Sequence, residues 1–294
     1  MNPFLERREV GRTGLRTARL GIGSTFDAPA SAIEEAFERG INYLYWGTVR
    51  RPAFARAMVN LSTRHRDELI LTIQSYSRDP GSIEGEIEEA LASAGVEHFD
   101  FLLLGNRSEV PDDAYVEVFE RLRERGKVRF MSISSHNRPM LPKLLDGYGS
   151  GESPYELLML RYNAVHRGAE KDVFPFVPDA GPKPLIVAYT ATRWKHLLDP
   201  DRMPPGEEPL RARDCYRYSL SHPAVDMVLC GPASTGQMRE ALLALELGSL
   251  ATDERERIER IGAHIYGRYP ASHPDAGDAE DISAGGVHDK FVGF

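Results

Sequence analysis

Eight short apolar runs recur along this chain at a steady interval, and that recurrence constrains the fold more than any single motif. They begin near Ala18 (ARLGIG), Ile41 (INYLY), Leu69 (LILTIQ), Phe99 (FDFLLL), Val128 (VRFMSI), Glu156 (ELLMLRY), Pro184 (PLIVAY) and Val225 (VDMVLCG). Most neighbours start about 28 residues apart, which is room for one strand, one helix and two short loops. The runs are apolar throughout instead of alternating, as expected of parallel strands covered on both faces. The segments between them carry helical period. Ser31-Ala-Ile-Glu34 reads as a capping box, with Ile33 and Phe37 on one face. Ser82 is placed to cap a helix that turns Ile83, Ile87 and Leu91 inward. Asp112 or Asp113 starts another, with Tyr115, Val118, Phe119 and Leu122 at core spacing and Gly126 as the stop.

Strands alternating with helices in this way describe a closed (β/α)8 TIM barrel or a doubly wound sheet. No GxGxxG follows the first run, which favours the barrel. Arg7 to Leu20, with Gly11 and Gly14 at turn positions, reads as an N-terminal β-hairpin. Thr252 to Tyr266 reads as an extra C-terminal helix with Ile258, Ile261 and Ile265 on one face. The expectation is one barrel domain over residues 1–268 and a tail over residues 269–294, rich in Gly, Asp, Ala and Pro. The tail is either mobile or a lid that brings Phe291 and Phe294 over the barrel mouth.

Charge narrows the partners. The 294 residues carry 44 acidic against 36 basic side chains, a net charge of −8, which argues against a nucleic-acid or anionic-membrane partner. The only cysteines, Cys215 and Cys230, make no CxxC, and no His spacing suggests a ligand set, so no metal is expected. Cys230 lies in an apolar run and reads as a buried structural thiol. The N-terminus has no apolar signal region and no long apolar span exists, so a cytoplasmic, soluble protein is expected. Oligomeric state is not legible in the residues.

In a barrel, ligands bind where the strands end at their C-terminal face. The second run would deliver Tyr45, Trp46, Arg50 and Arg51 there, and the third Gln74, Tyr76 and Arg78. Asn106 and Arg107 follow the fourth run, and His136, Asn137 and Arg138 the fifth. Arg161, Tyr162, Asn163, His166 and Arg167 follow the sixth, and Arg193 and Trp194 the seventh. So many cations at one rim of an acidic chain suggest a pocket for an anionic small molecule. The competing reading pairs these arginines with Glu109, Glu170, Asp214 or other carboxylates. His136 and His166 are candidates for acid–base work, or hydrogen-bonded structural residues.

Taken in order, several motifs resemble the aldo-keto reductase family over most of the chain, from Arg8 to about Tyr266. They are Gly11-Arg-Thr-Gly-Leu15 before Leu20-Gly-Ile-Gly23, then Gly40-Ile-Asn42, Phe99-Asp100 and Gly126-Lys-Val-Arg129. Arg161-Tyr-Asn163, Val187-Ala-Tyr-Thr190, and Gly231 with Gln237 complete the set. The resemblance implies carbonyl reduction with a nicotinamide dinucleotide. The family's tetrad of Asp, Tyr, Lys and His is replaced here by Tyr45, Arg50, Gln74 and Gly105, so a rebuilt active site is expected, with His136 as a further acid–base candidate. A non-catalytic cofactor-binding or metabolite-binding descendant, or a lyase or isomerase on the same barrel, stays open.

The resemblance also implies cofactor contacts. Gly23 and Ser24 lie at the first strand end. Ser134 matches a serine that bonds the carboxamide, and Ser135 stands where its asparagine partner would be. Tyr189 matches the tyrosine that stacks on nicotinamide, and Thr190 a phosphate contact. Gly231, Ser234, Gln237 and Glu240 match the adenosine-phosphate loop and adenine contact. From the residues alone, Ser234 and Gln237 are equally a capping box, and Tyr189 a packed strand tyrosine. The family's usual Lys and Arg are Gly231 and Gln237 here, so NADP and NAD both stay open. Trp46, Tyr76, Asn106, Arg161 and Trp194 are the candidate substrate contacts. The long Trp194–Ala212 segment is expected to fold over the dinucleotide, as in the family.

Overall fold

The apolar runs become strands because each has both faces covered, one by the barrel interior and the other by helices. A computed structural model describes residues 2–47 and 49–268. A hairpin of β1 (Arg8–Glu9) and β2 (Arg16–Thr17) precedes the barrel. The barrel strands are β3 (Leu20–Gly23), β4 (Tyr43–Trp46), β5 (Ile70–Ser75) and β6 (Phe99–Leu104), then β7 (Val128–Ser135), β8 (Tyr155–Arg161), β9 (Leu185–Tyr189) and β10 (Met227–Cys230). All eight are parallel, and β10 pairs back onto β3 to close the sheet. The closed barrel with an N-terminal hairpin is the architecture expected from the periodicity.

Helices α1 (Ala30–Glu38), α2 (Pro52–His65), α3 (Pro80–Ala94), α4 (Asp113–Glu124) and α5 (Leu141–Ser150) cover the first half of the barrel. After β8 the helical layer thins to α6 (Ala169–Asp172), and α7 (Ala212–Leu220) and α8 (Thr235–Leu247) flank β10. Helix α9 (Thr252–Arg268) is the extra C-terminal helix, with Ile258, Ile261 and Ile265 buried. The expected tail lies outside the described residues. Among the described residues, no helix is long and apolar enough to cross a membrane.

Two helix starts differ from the sequence reading. The Ser31–Glu34 capping box does not form. The chain enters α1 at Pro29, whose carbonyl accepts from Ala32 N at 2.9 Å, and Ser31 falls inside the first turn. Helix α3 starts at Asp79 rather than Ser82: Asp79 Oδ1 accepts from Gly81 N at 3.0 Å. The physical reason is Pro80, whose fixed φ suits the first helical position and pulls the start forward. Asp112 caps α4 as expected, accepting from Ala114 N at 3.2 Å.

Strand alternation divides the core in two. Leu44, Ile73, Leu102, Ile133, Leu158 and Ile186 face outward into the helix layer. Tyr43, Phe101, Leu103, Leu157, Met159 and Val187 fill the interior, and Val10 of the hairpin closes it from below. The lower half of the barrel is therefore packed shut, and only the upper ends of the strands can form a site.

Buried polar side chains tie the base together. Asn42 Oδ1 accepts from Ala18 N at 3.0 Å, and Asn42 Nδ2 donates to Arg16 O at 2.9 Å and Glu68 O at 3.0 Å. The fully buried Asp100 accepts from Leu71 N at 2.8 Å and meets Arg66 at 3.0 Å and Arg129 at 2.8 Å. Glu156 holds the hairpin, accepting from Arg12 N at 2.7 Å and from Tyr148 Oη at 2.5 Å. A Cβ at Gly11, where φ is +53°, would strike that carboxylate. Asp100→Asn should lower stability by about 2–4 kcal/mol, since Leu71 N–H and two guanidinium groups lose their shared anion. Urea unfolding at pH 7 measures this, and a loss under about 0.5 kcal/mol, the level of an ordinary surface change, would contradict the tie.

Candidate active site at the barrel mouth

The parity that sends Phe101 and Leu103 inward also sends Tyr45, Gln74, Gly105, Ser134, Arg161 and Tyr189 inward, one or two residues higher. Here the apolar filling ends and a polar layer begins. Tyr45 Oη donates to Gln74 Oε1 in a very short contact. Gln74 also lies beside Tyr76 and offsets part of the upward shift that burial gives that phenol. Gly105 makes the arrangement possible. A Cβ at that position would overlap Gln74 Nε2 and lie 2.7 Å from the Tyr76 ring. Where the resemblance places a histidine, this chain leaves space, and Tyr76 and Gln74 occupy it.

Burial drives the Tyr45 phenol well above the ordinary tyrosine range, and neighbouring Tyr76, Tyr189 and Tyr43 push the same way. Tyr189 is also raised by burial and by Tyr76, while Arg161, its partner across β8 and β9, opposes the shift. Burial raises Tyr76 too, but Gln74 and Arg78 pull it back. The His136 ring lies 5.6 Å from the Tyr189 ring, centroid to centroid. Tyr45, Gln74, Tyr76, His136, Arg161 and Tyr189 are thus gathered at one mouth.

Other predicted site residues go elsewhere. Trp46 has the opposite parity to Tyr45, so it is buried in the outer layer 6.1 Å from Phe99 and is not a pocket wall. Arg50 is exposed and sits over the outer Trp46 ring at 5.6 Å, so it does not join Tyr45 and Gln74. Ser135 likewise faces outward: its Oγ donates to Arg107 O at 2.6 Å and accepts from Asn137 N at 2.8 Å, a loop brace rather than a mouth contact. Ser24 braces the loop after β4, donating to Val49 O at 2.8 Å. Ser134 stays inward and accepts from Asn106 N at 2.8 Å, with Asn106 in the left-handed region at φ +46°. Gly23 lies beside the Tyr45 ring. His166 is buried, its backbone amide donating to Asn163 Oδ1 at 2.9 Å.

Many rim arginines are held by the protein itself, as the competing reading supposed. Arg167 pairs with Glu170 at 2.9 Å and Glu259 at 3.3 Å, and Arg138 with Asp172 at 2.8 Å. Arg107 donates to Tyr115 Oη and Ser77 O, and Arg78 to Asn106 O. Arg193 is buried at φ +48°, with its guanidinium 2.9 Å from His196 Nδ1. Trp194, at φ +52°, is 37% exposed beside it. Arg161 lies level with Tyr189 on the neighbouring strand and is itself buried.

Along one side of the mouth runs a candidate anion edge. Ser234 caps α8, its Oγ accepting from Gln237 N at 3.2 Å, and Gln237 Oε1 accepts from Ala233 N at 2.7 Å. The capping box is real, so it uses two amides that a phosphate would otherwise take. Gly231 lies under Phe26, and the Lys195 ammonium rests 4.7 Å from that ring's centroid. The sequence reading missed Phe26 and Lys195, because nothing local marks two residues so far apart as neighbours. One turn into α8, Glu240 Oε2 meets Arg213 at 3.5 Å, while its buried Oε1 has no hydrogen-bond partner. Thr190 O accepts from Asn163 Nδ2 at 2.9 Å, which anchors the chain just past Tyr189. Among the described residues, no group of three or more His, Cys, Asp or Glu side chains is placed to hold a metal ion.

Comparison with known proteins bears on the fold. No protein-family profile matches the chain. An uncharacterized oxidoreductase, YqkF of Bacillus subtilis (strain 168), is 22% identical over 299 residues, covering 87% of this chain and 96% of that protein. The holo form of aldo-keto reductase AKR11C1 from Bacillus halodurans superposes with a TM-score of 0.70 at 21% identity, over 90% of this chain and 99% of that one. Its apo form gives 0.67 at the same identity and coverage. The chain therefore shares the aldo-keto reductase fold, as the motif order implied.

If Gly105 is the seat of Tyr76 and Gln74, a methyl group there must displace both. Gly105→Ala should lower stability by about 1–3 kcal/mol in urea, the ordinary cost of overpacking. Gly85→Ala, inside α3 with open space around it, should be neutral or stabilising by up to about 1 kcal/mol. Equal effects of the two would mean that the Gly105 contact is not tight.

Proposed function

We propose that this protein is an oxidoreductase of the aldo-keto reductase kind, which binds a nicotinamide dinucleotide and reduces a carbonyl group of a small molecule with a rebuilt set of polar residues. The observation that carries the reading is the continuity of one edge of the mouth. It runs from the inward Tyr189 ring, past Gly231, to the start of α8 and the partnerless Glu240 oxygen. The residues fit a dinucleotide. A buried carboxylate oxygen without a donor is costly, and an adenine amino group would supply one. The N-terminus of α8 and Lys195 favour the phosphates between. When bound, the cofactor supplies a hydride. The protein's own residues do the rest. Tyr189 offers a flat face for a ring, Ser134 and Asn106 shape the polar wall beside it, and Arg161 gives the pocket a fixed positive charge suited to an oxyanion or an anionic substrate.

A second reading, a binder without turnover, is favoured by one observation: the hydroxyl proton of Tyr45, which stands at the tetrad's Asp position, is already committed to Gln74. The two separate in solution. Calorimetry with NADPH and NADH should show binding of at least one, and Glu240→Ala should weaken it about tenfold, the worth of one buried hydrogen bond to a carboxylate. A panel of dicarbonyls, sugars and aromatic aldehydes followed at the nicotinamide absorbance should show consumption. Binding without consumption would favour the second reading, and no binding of either dinucleotide would exclude the first.

A further inference from the structure

We propose that Arg107, with Arg78 and Tyr115, positions the substrate side of the mouth by setting Asn106. Asn106 in turn determines specificity, its amide oxygen accepting a hydrogen bond from a hydroxyl or N–H group of the substrate. The inference rests on the reductase reading above and adds to it which substrates the site prefers.

Two loops of the mouth are clasped reciprocally. Arg107, in the loop after β6, is 4% exposed, and its guanidinium meets neutral oxygens instead of a carboxylate. Nη1 donates to Tyr115 Oη at 3.0 Å, and Nη2 to Ser77 O, in the loop after β5, at 2.6 Å. Arg78 returns the contact from the loop after β5, its Nη2 donating to Asn106 O at 2.7 Å. Tyr115 Oη on α4 joins the two halves by donating to Arg78 O at 2.8 Å. Each loop thus sends its arginine to a carbonyl of the other. Burying a cation against neutral acceptors is costly. The Tyr115 ring, whose centroid lies 4.5 Å from the Arg107 guanidinium carbon, offsets part of that cost. What the arrangement secures is the relative placement of two loops.

The residue held between them is Asn106. Its N–H donates to Ser134 Oγ at 2.8 Å and its carbonyl accepts from Arg78, so its backbone is fixed on both sides. It is fixed in the left-handed region, at φ +46°, which asparagine tolerates better than most residues but at some free-energy cost. Its side-chain Oδ1 is buried and has no hydrogen-bond partner. A buried acceptor without a donor is destabilising, and such groups call for a functional account. A strained, clasped residue therefore carries an unmet acceptor directly after Gly105, at the mouth end of β6. A hydroxyl or N–H group of a bound substrate would satisfy it. In the closed strand order β5 and β6 lie across the barrel from β9 and β10, so this wall stands opposite the proposed dinucleotide edge.

Paired substrates read the two sides of the mouth separately. Glyceraldehyde is set against propanal, and 4-hydroxybenzaldehyde against benzaldehyde. In at least one pair Asn106→Ala should lower the kcat/KM ratio of the hydroxylated to the plain aldehyde about tenfold, the worth of one neutral hydrogen bond. The change should fall on KM more than on kcat, as for a contact made equally in ground and transition states. Arg107→Met should lower the same ratio, with dinucleotide affinity unchanged in a fluorescence titration. Arg107→Lys, which keeps a charged donor, should restore part of it, a rescue that a merely structural role would not tie to the hydroxyl. If circular dichroism shows Arg107→Met unfolded, Tyr115→Phe removes one oxygen of the clasp and should move the ratio the same way. A ratio unchanged by Asn106→Ala in both pairs, or a loss of dinucleotide affinity in its place, would overturn the proposal. A second arm needs no turnover. Amide hydrogen exchange in Tyr115→Phe should quicken together at residues 76–79 and 105–108, and not at the start of α8. Quickening in one loop alone, or in neither, would overturn the clasp. Should the parent bind dinucleotide yet reduce no carbonyl, the reductase reading falls by itself, and the exchange arm still decides whether the two loops are held as one.

Discussion

Closure of eight strands whose side chains alternate in and out is the constraint on which everything else rests. A closed parallel barrel has no free edge, so each strand must present one row to the interior and one to the helices. The interior row begins with Val10, Tyr43, Phe101, Leu157 and Val187, which leaves no path from below. Polar inward residues are then confined to the last step or two of each strand. Tyr45, Gln74, Ser134, Arg161 and Tyr189 meet not because the sequence clusters them but because they share parity and height. A one-residue change in strand register would send all of them into the helix layer.

The opposite end of the barrel explains why fold and activity were unequally legible. The motifs that carry the family resemblance are largely base residues: Gly11 against Glu156, Asn42 tying β2 to β4, Asp100 clamping β5 with Arg66 and Arg129. These positions hold the scaffold shut, and residues at the lower face of such barrels serve stability. Periodicity and base motifs therefore reported the architecture faithfully. They carried no information about the upper face.

Within the site, the sequence reading succeeded where position along a strand decides and failed where side or partner decides. Tyr45, Gln74 and Tyr189 were legible as strand ends. Trp46 and Ser135 were misplaced because each is one residue from an inward neighbour, and a run apolar on both faces shows no alternation to tell the two sides apart. The rim arginines looked like one cluster, but Arg167 and Glu259, or Arg138 and Asp172, come together only through the helix layer. The contribution of Gly105 was hidden in another way. A glycine at a strand end normally reads as a turn, whereas here its missing side chain is the space that two other side chains fill.

Electrostatics sets what such a mouth can do. At the mouth an amide meets a phenol, Gln74 against Tyr45, while Arg50 turns outward over Trp46. Burial then acts on these phenols, opposed at Tyr189 by Arg161, and keeps them protonated above neutral pH. A protonated phenol is a competent hydrogen-bond donor at rest but a weak acid. Any acid catalysis must come from stabilising the phenolate during the reaction rather than from lowering its resting pKa. In a site that excludes water, one amide N–H and a nearby guanidinium count for more than they would at the surface.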